Sequence, residues 1–186
     1  MDTGQSEQGK RVLLFQYGSN MDSKRLNSAK RLDGEAEVFG KAKLEGHELL
    51  FDLWSVKNHS AAADIKEETG NHVWGVLYRV PCELVIAEQG RRSKMDCIEG
   101  AKSDGTGNYT RVQVKFVKGD GTSEEAYTYI GTKTERGKFP KCSDRKVSGG
   151  YLDHILRGAY EHSLPKGYIQ EIKNIAEKHI QKVTWT

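Results

Sequence analysis

Two short stretches carry the residue types that proton transfer and anion binding require. The first, Tyr17-Gly18-Ser19-Asn20-Met21, closes an apolar run at residues 12–17 (VLLFQY). Gly18 reaches backbone conformations closed to other residues. Ser19 and Asn20 bring polar side chains, and successive N–H groups in such a turn form a nest for an anion. The same residues also suit an ordinary strand-to-helix turn, with Asn20 or Asp22 capping a short helix that contains Arg25 and Leu26. Ser19 is not placed as an acyl-transfer nucleophile, because Tyr17 and Met21 stand where a G-x-S-x-G elbow has glycines.

The second stretch is Met95-Asp96-Cys97-Ile98-Glu99-Gly100, followed by Gly105, Gly107 and Tyr109. A carboxyl packed against apolar groups has a raised pKa and exchanges protons near neutrality, which makes Glu99 a candidate acid/base. The plain alternative is a solvent-facing glutamate near a helix end. GTGN at residues 105–108 lacks the third glycine of a dinucleotide fingerprint and opens no helix, so it reads as a loop. No pattern ties a histidine to Cys97, which reads as an inert, partly buried thiol. Gly149, Gly150 and Tyr151 read as the start of a helix, and Tyr168 as a core or rim aromatic.

Strands and helices must bring these stretches together. Residues 12–17 read as a buried strand. Residues 35–54 hold two or three strand-like pieces, with a break at Gly40 and a turn at Gly46. HVWGVLYRV, residues 72–80, is rich in β-branched and aromatic residues, and Pro81 stops it. From Tyr109, Val112, Val114 and Phe116 alternate with Arg111, Gln113 and Lys115; residues 118–121 (KGDG) supply a turn, and residues 126–130 return. Leu152, Ile155, Leu156 and Ala159 share one face of a helix over residues 151–162, Pro165 breaks it, and Ile169, Ile172, Ala176 and Ile180 form the stripe of a second. Strands first, short helices around 82–99, more strands and helices last predict an α+β fold with a mixed, mainly antiparallel sheet, curled into a small barrel. Strands do not alternate with helices of about 10–15 residues as in a doubly wound sheet.

Composition bounds the rest. At 186 residues the chain predicts one domain over residues 11–186 behind a flexible tail at 1–10. No apolar run approaches the ~18 residues of a membrane span. MDTGQSEQGK offers no signal peptide, so the cytoplasm is the expected compartment. Cys82, Cys97 and Cys142 are odd in number without a C-x-x-C, and the histidines show no metal spacing, so neither metal nor cofactor is expected. A basic stretch, with Lys133, Arg136, Lys138, Lys141, Arg145 and Lys146 against Glu135 and Asp144, reads first as a solvated loop and second as a phosphate-binding patch.

Taken together, a strand running into YGSN, the V-W-G-V strand, D-x-x-E-G before a glycine-rich loop and N-Y-x-R, and a late L-P-x-x-Y resemble the gamma-glutamylcyclotransferase-like superfamily from about residue 12 to 168. The resemblance implies a small mixed barrel flanked by helices, whose cavity holds a gamma-glutamyl group. It implies a cofactor-independent enzyme that cyclises this group to 5-oxoproline and releases an amine. By the same resemblance Glu99 is the acid/base, Tyr17, Gly18, Ser19 and Asn20 form the substrate-cradling turn, and Tyr109 and Tyr168 contribute aromatic side chains. The partner implied is a small gamma-glutamyl substrate, with no membrane, with nucleic acid disfavoured, and with a monomer or homodimer as the assembly. Two departures leave the leaving group open: a longer loop at 101–108, and alanines at 60–64 in place of a glycine-led segment. Competing readings are a barrel that binds small carboxylates without turnover and a basic nucleic-acid-binding barrel, whose binding would depend steeply on salt.

Overall fold

β1 (Arg11–Gln16) is a central strand of the sheet, half-buried over Arg11 to Leu13 and buried from Leu14 to Gln16, with Leu14 and Phe15 fully buried, in keeping with its apolar run. It pairs antiparallel with β3 (Ser60–Pro81), from Arg11↔Pro81 to Gln16↔Val76, and parallel with β5 (Ser123–Gly131) at Leu14↔Tyr127. β2 (Glu37–Ser55) pairs antiparallel with β3, and β4 (Tyr109–Val117) antiparallel with β5, giving the order β2-β3-β1-β5-β4. This computed structural model describes residues 9–102, 104–117, 123–141 and 145–181. Most of the expected tail (residues 1–8), the expected turn at 118–121 and Cys142 lie outside them. The carbonyl of Lys10, placed in that tail by the sequence, accepts the Cys82 N–H at 2.9 Å.

The α+β class and the mainly antiparallel sheet are as expected, but the barrel is not closed. Among the described residues β2 and β4 are edges, with no ladder between them. Individual bonds bridge the gap instead. The Gly131 N–H at the end of β5 donates to Asp64 Oδ1 (2.6 Å), and the Tyr109 hydroxyl on β4 donates to the Ala63 carbonyl (2.6 Å). The first half of β3 thus folds over the ends of β4 and β5 and leaves a crevice rather than a sealed wall.

The separate pieces expected at 35–54 are one strand. Irregularities between Val38 and Gly40 and between Glu45 and His47 place both glycines at bulges, with φ of 151° and 69°. A bulge and a turn make the same demand for positive φ, so the glycines bend β2 where the sequence suggested that they end it.

Four short or medium helices complete the fold among the described residues. α1 (Ser23–Leu26) follows a 3-10 turn at Ser19–Met21 and is capped by Asp22, whose Oδ1 accepts the Arg25 N–H at 3.1 Å. α2 (Lys94–Glu99) starts on a reciprocal Ser93–Asp96 capping box and ends at left-handed Gly100. α3 (Gly149–Glu161) buries Ile155 and Ala159 of the stripe read from the sequence, with Leu152 and Leu156 half-buried, and α4 (Lys166–Gln181) buries Ile169, Ile172 and Ala176. No described helix is long and apolar enough to cross a membrane.

α3 packs directly on the 3-10 turn, and one residue permits it. A Cβ on Gly158 would lie 2.3 Å from the Met21 carbonyl carbon and 2.5 Å from the Asp22 nitrogen. Gly158→Ala is therefore expected to cost about 1–3 kcal/mol of stability, read as a lower urea midpoint. An unchanged midpoint would show that the helix is not held against this turn.

Candidate active site

β1 runs straight into Tyr17 and Gly18, and the chain then tightens into the 3-10 turn, where the Met21 N–H donates to the Gly18 carbonyl at 3.0 Å. Asp22, not Asn20, caps α1. Asn20 is thereby left for another partner: its Nδ2 donates to Glu99 Oε1 at 2.6 Å, and its Oδ1 accepts from the Arg31 guanidinium at 2.8 Å. The two stretches singled out by residue type, 79 positions apart at these atoms, meet in one hydrogen bond.

Glu99 is the last residue of α2, so the helix end aims its carboxyl at the turn. The residue keeps some accessible surface, but the carboxyl is enclosed, and burial pushes its pKa up. The Arg31 charge, the Asn20 hydrogen bond and the Arg25 charge pull the other way without cancelling the rise. The solvent-facing alternative does not describe this side chain.

Two adjoining cavities meet at Glu99. The inner one, about 30 Å³, reaches Gln16, Tyr17, Gly18, Ala63 and Tyr129. The outer one, about 240 Å³, extends past Arg25, Arg31, Trp54 and Lys57. Ser19, Asn20, Glu99, Tyr109 and Tyr151 line both.

The tyrosines around the inner cavity are not equivalent. The Tyr17 hydroxyl donates to the Tyr129 carbonyl (2.6 Å), and Tyr109 donates to Ala63. Tyr151 Oη instead accepts the Ala63 N–H at 3.1 Å, which leaves its own proton available. Burial raises all three pKa values, so all three stay neutral phenols.

A second buried charge cluster stands behind Tyr17. Fully buried Asp64 accepts from the N–H groups of Ile65 and Gly131 and from Arg136 Nε, the last two at 2.6 Å, while the Arg136 guanidinium also donates to the Ile65 carbonyl at 2.8 Å. Burial and the Asp64 charge push neighbouring Asp52 up to about 6. Arg136, read from the sequence as part of a basic patch, is thus turned inward.

Of the expected site residues, Tyr17, Gly18, Ser19, Asn20, Glu99 and Tyr109 come together. Tyr168 does not: it lies on α4, 4% exposed, its ring stacked on His72 with centroids 6.3 Å apart. Cys97 is exposed at the rim of the outer cavity, because its place on the short α2 faces outward; the expected partial burial is corrected. Sequence reasoning missed Arg31, Ala63 and the role of Tyr151. Arg31 lies between α1 and β2 in no recognisable pattern, and Tyr151 looked only like a helix start. Among the described residues no group of three or more His, Cys, Asp or Glu side chains is arranged to hold a metal ion.

Comparison with known proteins agrees with this fold. The model of the AIG2-like family matches residues 72–172, from the second half of β3 into α4. The chain is 29% identical over 174 residues to a Mus musculus protein named gamma-glutamylcyclotransferase, covering 91% of this chain and 81% of that one. It is 28% identical over 177 residues to the Homo sapiens protein of that name, covering 93% and 82%. A solved structure named gamma-glutamyl cyclotransferase superposes with a TM-score of 0.69 at 23% identity, over 95% of this chain and all of that one. YkqA from Bacillus subtilis gives 0.67 at 24%, over 95% of this chain and 56% of that one. With the family match spanning more than half of its length, the chain belongs to the AIG2-like family, within the gamma-glutamylcyclotransferase-like superfamily.

Proposed function

We propose that this protein is a gamma-glutamylcyclotransferase: it cyclises the gamma-glutamyl group of a small amide to 5-oxoproline and releases the amine, with Glu99 as acid/base. The observation that carries the proposal is the Glu99 carboxyl, enclosed beside the YGSN turn, raised in pKa and hydrogen-bonded to Asn20. The names of the relatives support the same reading.

The reaction needs the substrate bent so that its own α-amine meets its side-chain carbonyl. Holding the two in contact contributes roughly 7–11 kcal/mol in favourable intramolecular cases. An α-amine has a reference pKa of about 8, so the attacking free amine is a minor form at neutral pH. As the new C–N bond forms, the nitrogen gives a proton to the Glu99 carboxylate. The old C–N bond then breaks, and Glu99 returns that proton to the leaving nitrogen. No water is consumed. The Tyr151 hydroxyl and the N–H groups of the turn are the donors placed to hold the substrate carboxylate or the developing oxyanion. Tyr17 and Tyr109 shape the cavity, their protons already committed to carbonyls. The setting in keeping with these features is cytoplasmic, on a single domain over residues 11–186.

The test is incubation of purified protein with gamma-glutamyl dipeptides in ¹⁸O-water. Cyclisation gives 5-oxoproline free of solvent oxygen; glutamate carrying one ¹⁸O would mean hydrolysis, and intact dipeptide would mean binding without turnover. Either of the latter overturns the proposal.

Arg31 sets the lower pH limit. Its charge is the largest influence holding the Glu99 pKa down, so removing it raises that pKa further. Glu99 must be ionised to accept the proton, so Arg31→Met is expected to move the acidic limb of the kcat/KM profile to higher pH. A limb that stays in place, or moves down, would show that Glu99 does not set it.

A further inference from the structure

We infer that the outer cavity selects an acidic leaving fragment, an amino acid carrying a second carboxylate, in preference to neutral or cationic amines. This rests on the cyclotransferase reading above and goes on to the half of the substrate that the reading leaves open.

The inner cavity is small, and the outer one begins at Glu99, so the released fragment occupies the outer space. Arg25, Arg31 and Lys57 line that space, and Glu99 is the one acidic residue among its lining residues. None of the three cations belongs to an ion pair within 4 Å among the described residues. Arg25 Nε is buried with no hydrogen-bond partner among the described residues, an orphaned donor in this wall. Arg31 is desolvated and the Arg25 charge disfavours its ionised form further, while Glu99 is the one acidic side chain of this wall that acts against that repulsion.

Glu99, linked to Arg31 through Asn20, offsets one of the three positive charges. Two remain, Arg25 and Lys57. A fragment such as aspartate or glutamate, joined through its amine, brings two carboxylates to meet them, and Trp54 offers an apolar face for its methylenes. A lysine-like amine would bring positive charge into the same space.

The experiment compares kcat/KM for 5-oxoproline release from gamma-glutamyl-glutamate, its near-isostere gamma-glutamyl-glutamine, and gamma-glutamyl-lysine joined through the α-amine. The expected order is glutamate over glutamine by about tenfold, with lysine lowest. The glutamate-to-glutamine ratio should fall as salt is raised, and should fall towards one in Arg25→Gln and Lys57→Gln. Equal rates with glutamate and glutamine, or a preference for lysine, would overturn this inference while leaving the cyclotransferase reading intact. Absence of 5-oxoproline from every dipeptide would overturn that reading and this one with it.

Discussion

Glu99→Gln is expected to lower 5-oxoproline formation by about 10²–10⁴-fold, the range that general acid–base catalysis supplies. Glutamine has the same size and keeps an oxygen for the Asn20 amide, whose Nδ2 donates to Glu99 Oε1 at 2.6 Å. What it cannot do is take the proton from the attacking amine. Stability should not fall with activity. A carboxyl whose pKa is raised on folding binds its proton more tightly folded than unfolded, so its contribution to stability is present below the unfolded pKa and is lost as pH rises through the folded one. Removing the ionised form therefore leaves the neutral-pH melting temperature equal or higher. Rate and melting curve together decide: wild-type turnover would remove Glu99 from the mechanism, and a large drop in melting temperature would make the rate loss a folding defect.

Arg136→Met is expected to cost about 3–5 kcal/mol, the range for breaking a buried ion pair by removing one partner. Asp64 is fully buried, and Arg136 is its one cationic partner among the described residues. Removing the cation leaves a buried negative charge, with Asp52 beside it already pushed up to about 6 by burial and by Asp64. A folded-state pKa above the unfolded one means that Asp52 favours the fold most below the unfolded value, and that this benefit is lost as pH rises through about 6. Without Arg136, Asp52 loses a charge that holds its pKa down and keeps its proton to higher pH, so the defect should be smaller at pH 5 than at pH 8. Urea midpoints at both pH values check this; equal midpoints for wild type and variant would show that Asp64 does not depend on Arg136.

Local patterns carried much of the fold. The apolar run at 12–17, the alternation after Tyr109 and the stripes through Ile155 and Ile172 each have a period that one element explains, and β1, the β4–β5 hairpin, α3 and α4 follow. Gly40 and Gly46 were ambiguous for a physical reason, since positive φ serves a bulge as well as a turn. Closure was illegible because it depends on whether β2 and β4 meet, which no local period encodes.

The site divides in the same way. Residue chemistry marked Asn20 and Glu99 separately, and the family resemblance joined them; spacing could not, with the two so far apart in the chain. Arg31 is hydrogen-bonded to Glu99 through Asn20, and Arg136 reverses from surface charge to buried partner because Asp64 on β3 faces it. Tyr168 shares its residue type with Tyr151, yet α4 carries it to His72 instead of the cavity.

The most direct measurement is a titration of the Glu99 side chain by carboxyl ¹³C NMR, assigned by its loss in Glu99→Gln. An enclosed carboxyl serving as the base for amine attack should titrate above the ordinary glutamate value of about 4.3 and share its midpoint with the acidic limb of kcat/KM. A carboxyl titrating at or below that value would show that enclosure does not raise its pKa and would contradict the mechanism.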